Sequence, residues 1–161
     1  MAALAAVPER RATFREEKHL AALEAPLSAT GRLHYRRPDW LEKVTLSPAP
    51  ETLLIDGARV VLTLGQDPPR VIPLDADPGL HALVDAIRAP LAGDLAALQR
   101  GFRVEAGGTQ ADWTLTLIPR DPGIAGLLQR AVIAGRGDQP RRIEIGQAGG
   151  DKQILWIEPL S

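Results

Sequence analysis

Over residues 31–36 apolar and polar side chains alternate. Gly31, Leu33 and Tyr35 fall on one face, and Arg32, His34 and Arg36 on the other. This is the period of two expected of a half-buried strand. Pro38 cannot donate to a ladder, so it predicts a strand end or a corner. Further on, Leu53-Leu54-Ile55 and Val60-Val61-Leu62 flank Asp56-Gly57. Apolar runs around an Asp-Gly pair predict a hairpin. Alternation recurs at Phe102–Ala106 and Trp113–Pro119, with shorter candidates at Val71–Pro73, Ala131–Ala134, Arg142–Ile145 and Gln153–Glu158. Turn signals such as Asp67-Pro68-Pro69, Asp121-Pro122-Gly123 and Gly149-Gly150 separate these runs. The pattern predicts a mainly antiparallel sheet with one apolar and one wet face.

Two helices interrupt the strands. Asp77 is suited to an N-cap and Pro78 to the first helical position. Leu80, Leu83, Val84 and Ile87 follow at i, i+3, i+4 and i+7, a single apolar stripe. Pro90 predicts its end. A second, short helix runs from the cap Asp94 to about Arg100, with Leu95 and Leu98 on one face. A further turn after Asp121-Pro122 presents Ile124, Leu127 and Leu128. Over residues 8–23, rich in Glu, Arg, Lys, Leu and Ala, local propensity favours helix.

Composition narrows the class. A chain of 161 residues suffices for one domain, here residues 1–161, with a real core. Its formal net charge of −1 gives no general attraction to nucleic acid or anionic membrane. No cysteine is present, so neither a disulfide framework nor a thiolate metal site exists. No run of apolar residues reaches the length of a membrane span. Ala2–Val7 reads as the tail of a processed signal peptide, or as a natural cytoplasmic start.

Candidate chemistry is sparse. His19, His34 and His81 stand apart at no metal-ligand spacing, and P-loop, G-x-G-x-x-G and G-x-S-x-G motifs are missing. His34 lies on the polar side of its strand and reads as a solvated histidine. Asp75 and Asp77 precede a helix and read as capping groups. No cofactor or metal is expected, and no nucleophile–base pair suggests an enzyme. Arg37 differs. By strand parity it shares the apolar face with Leu33 and Tyr35, where a charged head needs partners. Otherwise it reaches solvent past Pro38.

Taken in order, Phe14, Gly31, Arg37-Pro38, Leu41, Pro48 and Asp56-Gly57 resemble the LolA family of periplasmic lipoprotein carriers. The resemblance is clearest over residues 12–64. It implies an α+β fold that is mainly β: an unclosed antiparallel half-barrel with helices over its concave face. It also implies a short helix to about Arg11, then a long strand from Ala12. The implied function is a non-enzymatic periplasmic carrier, a monomer that does not insert in the membrane. Such a carrier takes cargo from an inner-membrane exporter to an outer-membrane acceptor. The arginine matching Arg37 in that family bonds to the lid, linking cargo entry to lid opening.

Within such a fold a mainly apolar cavity of ~300–1,000 Å³ is expected. Its lining is predicted from the apolar strand faces as Leu33, Tyr35, Leu53, Ile55, Val60, Leu62, Leu115 and Leu117, with Leu41 added by the family match. The stripe Leu80, Leu83, Val84 and Ile87 is either core or lid, and the two coincide if the helix covers the concavity. One departure matters. Lys43 stands where the family places an aromatic residue. The resemblance of Arg37–Lys43 and Gly93–Leu98 to a LolA-like branch encoded beside fatty-acid or aryl-polyene synthesis genes implies a lipid, acyl or polyene cargo. The rival is an adaptor domain that binds a partner protein in a cell-envelope assembly.

Overall fold

The structure, a computed structural model, describes residues 7–124 and 128–160. The strands are β1 (Glu9–His19), β2 (Leu27–Arg36), β3 (Trp40–Ser47), β4 (Glu51–Asp56), β5 (Arg59–Leu64) and β6 (Arg70–Pro73). Helices α1 (Pro78–Ala92) and α2 (Leu95–Gly101) follow. Then come β7 (Phe102–Gly108), β8 (Trp113–Pro119), β9 (Arg130–Arg136), β10 (Gln139–Gly146) and β11 (Lys152–Pro159). Among the described residues these strands form one sheet in the order β6-β5-β4-β3-β2-β1-β11-β10-β9-β8-β7. Every pairing is antiparallel. Strands β6 and β7 are not bonded to each other, so the sheet is unclosed. This is the half-barrel that the sequence implies.

Cross-strand pairing fixes which side chains share a face. Tyr35 pairs with Leu41, Leu41 with Ile55, and Ile55 with Val60. On the other half Leu115 pairs with Ile133, and Ile133 with Ile143. All are buried in one hydrophobic cluster, which Val84, Leu91 and Leu98 of the two helices complete. The helices therefore lie over the concave face. Two glycines let aromatic rings pack flat on the sheet. A Cβ on Gly31 would stand 1.9 Å from the Val44 carbonyl oxygen and 2.7 Å from the Phe14 ring, and one on Gly135 would stand 2.3 Å from the Trp113 ring.

Several local expectations change. Residues 9–11 open β1 and form no helix. The strand pairs on both sides, with β2 and β11, and buries Ala12 and Phe14, so tertiary pairing overrides local propensity. Pro90 does not stop α1. The helix runs on to Ala92 and ends at Gly93, whose φ of 66° forms a left-handed cap, its N–H donating to the carbonyls of Ala89 and Pro90. Pro90 removes one donor in the last turn, and its ring is buried there. In the β4–β5 hairpin the two loop residues are Gly57-Ala58, because Asp56 pairs with Arg59. Gly57 alone has positive φ (60°), which suits a turn with glycine first. After Asp121 a 3₁₀ turn spans Pro122–Ile124, and Ile124 and Leu128 are buried. Leu127 and residues 2–6 lie outside the described residues.

Candidate functional site

The concave face has a covered upper part and an open lower part. In the upper part, Leu91 of α1 faces Leu33, Tyr35 and Leu41 across a cavity of about 130 Å³, closed on the other side by Ala12 and Ile157. The Arg10 guanidinium Nε donates to the Leu91 carbonyl at 3.2 Å, tying β1 to the end of α1. Burial draws Arg10 below the ordinary arginine value, with Asp138 and Tyr35 acting against it. Tyr35 O–H donates to the Pro38 carbonyl at 3.2 Å. Burial raises its phenol above the usual value.

This pocket under Leu91 does not reach the expected size. It is a partly open pocket of about 130 Å³, rimmed by Arg10, Arg11 and Asp138. Leu33, Tyr35 and Leu41 line it, whereas Ile55, Val60, Leu115 and Leu117 are packed into the filled core. In α1 the buried residues are Val84, Ala86, Ala89, Pro90 and Leu91. Leu80, Leu83 and Ile87 are half-buried against the same core. Side chains of the sheet and helices occupy much of the space that the family resemblance implies for cargo.

Arg37 is exposed, and among the described residues its side chain has no hydrogen bond or ion pair. Strand β2 ends at Arg36, so parity does not extend to residue 37. The link between helix and sheet runs the opposite way. Arg88 of α1 donates through Nη1 to the Gly57 carbonyl at 2.6 Å and the Asp39 carbonyl at 3.0 Å. These carbonyls belong to the β4–β5 and β2–β3 turns. Beside them Asp85 lies 3.9 Å from Arg88 and 3.4 Å from His81. Burial raises the Asp85 carboxyl above its usual value, while His81, Arg88 and Arg100 pull it down. Sequence reasoning missed Arg88 because nothing in a helix pattern shows that two distant turns will present carbonyls to it.

The lower part is partly open. Leu53 and Leu62 pair across β4 and β5 and are half-buried; Leu64 and Leu27, further down, are 42% and 52% exposed. At its inner edge lies an ionic cluster. Glu16 is only 4% exposed, and its Oε2 accepts from the Lys43 ammonium and, at 2.6 Å, from Gln153 Nε2. Lys18 stands 3.9 Å from Glu16 Oε1, and Lys43 lies 5.1 Å above the centre of the Phe14 ring. Lys43, Glu16 and Lys18 thus form a charged cluster on the concave face, beside the buried Thr45. Glu16 was hidden in a stretch whose composition reads as solvated helix.

On the convex side His34 bonds to Glu9 at 2.7 Å and meets the Trp40 ring edge-on. Among the described residues no group of three His, Cys, Asp or Glu side chains is placed to hold a metal ion. No helix there is long and apolar enough to cross a membrane.

The family model for outer membrane lipoprotein carrier protein LolA-like proteins matches residues 1–157. The chain belongs to this LolA-like family. No curated protein matches it. Among solved structures it is similar to a LolA superfamily protein from Nitrosomonas europaea, at 10% identity and a TM-score of 0.45, over 94% of this chain and 84% of that one. It is also similar to a DUF1329 family protein from Desulfovibrio piger, at 10% identity and a TM-score of 0.49, over 96% and 85%. A third similarity is to the structure of the CwlD amidase in complex with the GerS lipoprotein from Clostridioides difficile, at 13% identity and a TM-score of 0.45, over 90% and 80%.

Proposed function

We propose that this protein is a periplasmic carrier that shields the apolar part of a lipid, acyl or polyene cargo between an inner-membrane exporter and an outer-membrane acceptor. The observation that carries the reading is the continuity of the concave face. Leu53 and Leu62 continue the buried surface of Ile55 and Val60 along the paired strands and are only half-buried. Cargo docks first on these half-buried leucines. It then displaces α1, exposing Leu33, Tyr35 and Leu41, which line the small cavity when the helix is closed. Arg88, not Arg37, holds the cover in place in this scheme, and Leu83, Val84 and Ile87 leave the sheet with it. Each methylene buried contributes ~0.8 kcal/mol, so an acyl chain of about ten such groups offsets the ordering costs of binding and still leaves reversible affinity.

A second reading, an adaptor in a cell-envelope assembly, is favoured by one fact: the interior is filled when the helices are closed. Native mass spectrometry of protein purified without detergent, followed by titration with a fluorescent fatty acid, separates the two. Saturable binding with one chain per protein supports the carrier. Absence of binding by any lipid, polyene or lipopeptide ends that reading in favour of the adaptor.

A further inference from the structure

We propose that Lys18, Glu16 and Lys43 form a head-group site, and that the cargo is an amphiphile ending in a single carboxylate. The inference rests on the carrier reading and narrows its substrate class.

Three observations meet at this place. The first is charge. Among the described residues Glu16 is the carboxylate within ion-pair distance of either lysine, so two ammonium groups share one negative charge. The cluster carries a formal charge of +1, and one further carboxylate balances it. The second is donor capacity. An ammonium group has three N–H donors. Lys43 directs one to Glu16 and passes over the Phe14 ring, while its side chain keeps 18% exposure and that of Lys18 48%. Both can donate to an incoming acceptor while the pair with Glu16 stays intact. The third is position. Lys43 is the cross-strand partner of Leu53, and Leu53 of Leu62. Head-group donors and an apolar track are thus neighbours on one face. A carboxylate on the lysines leaves its chain lying over the two leucines.

A purely structural role explains these facts less well. Holding a charged pair against an apolar wall costs desolvation that Coulomb attraction only partly returns, so apolar residues of similar volume would serve packing at least as well. The Gln153 amide, which also bonds Glu16, keeps that carboxylate turned toward Lys43.

The test uses the full chain, with displacement of the neutral dye Nile red by dodecanoic acid and by its methyl ester. A charge-assisted hydrogen bond to a carboxylate predicts that the acid binds about tenfold more tightly than the ester in the wild type. Lys43→Met should bring that ratio close to one, whatever the accompanying shift in ester affinity, because the ratio isolates the carboxylate contact. Glu16→Gln, which removes the competing carboxylate, should raise the acid-to-ester ratio. A merely structural cluster would move both ligands together. Should Lys43→Met not fold, the double variant Glu16→Gln/Lys43→Met removes the unpaired buried charge and makes the same prediction. Equal binding of acid and ester in the wild type, or an acid-to-ester ratio unchanged in every variant, overturns the head-group site alone. If neither ligand binds, this inference is overturned, and the carrier reading falls with it only where the broader titration with lipids, polyenes and lipopeptides also finds no binding.

Discussion

Replacing Arg88 by methionine tests whether one side chain holds α1 onto the sheet. Methionine keeps most of the apolar stem and deletes the guanidinium. Two hydrogen bonds from a charged donor disappear, to the Gly57 and Asp39 carbonyls. Such bonds contribute about 1.5–3 kcal/mol each. The Asp39 carbonyl keeps a second partner, the Gly57 N–H at 3.3 Å, so its loss falls at the low end. The Gly57 carbonyl loses its shorter bond in a site where the arginine side chain is only 13% exposed. The expected total is about 3 kcal/mol, a large share of a typical domain stability of about 5–15 kcal/mol. Urea unfolding reads the global loss, and amide hydrogen exchange reads opening of α1 (Pro78–Ala92). Arg37→Met is the control, because an exposed side chain with no hydrogen bond or ion pair among the described residues should shift stability by no more than about 0.5 kcal/mol. In a carrier, Arg88→Met should also speed lipid exchange and Arg37→Met should not. Wild-type stability with unchanged protection of α1 in Arg88→Met would refute the argument.

Other outcomes follow from single features. Burial raises the Asp85 carboxyl in the folded state, so its contribution to stability is greatest below the ordinary aspartate value and is lost as pH rises through the folded value; Asp85→Asn should therefore be more stable than wild type near neutrality, with the gap closing in acid, as measured by urea unfolding at several pH values. Gly31→Ala should fail to fold or lose several degrees of melting temperature, since its Cβ would stand 1.9 Å from a backbone oxygen that cannot move cheaply; a wild-type melting curve would show that the strands adjust. Leu62→Glu places a carboxylate beside Leu53 on the docking face and should sharply weaken fatty-acid binding in a competition titration, because binding would desolvate an unpaired charge.

The strands were legible wherever one face is apolar and the other wet. Alternation at Gly31–Arg36 and Trp113–Pro119 places both elements with their correct buried faces. Legibility failed where tertiary contacts outweigh local signals. Strand β1 hides because the alternating position at Glu16 is charged yet buried, its burial made tolerable by Lys43 and Gln153 from distant strands. Arg37 misled because parity is meaningful only while the strand lasts, and β2 stops one residue earlier. The lining positions were assigned to the right face, but a face does not reveal how much of it neighbouring side chains already fill. Leu117 is fully buried while Leu62 is half-open, although the same alternation rule selects both.

The pairing of β1 with β11 sets the order in which this chain can be completed during synthesis. Strands β1 to β6 form one consecutive meander, β7 to β11 another, and in the sheet the pairing of β1 with β11 joins them. Each meander can close through short-range contacts before the other is available. The seam cannot form until Lys152–Pro159 has emerged, and until then β1 offers a free edge at what becomes the middle of the sheet. Long-range strand pairing of this kind is slow and leaves unpaired edges open to aggregation. A chaperone that masks β1 until β11 has emerged would protect the protein at its most vulnerable point. A circular permutant that connects β11 directly to β1 and starts the chain between β6 and α1 would turn that late, long-range pairing into a local hairpin.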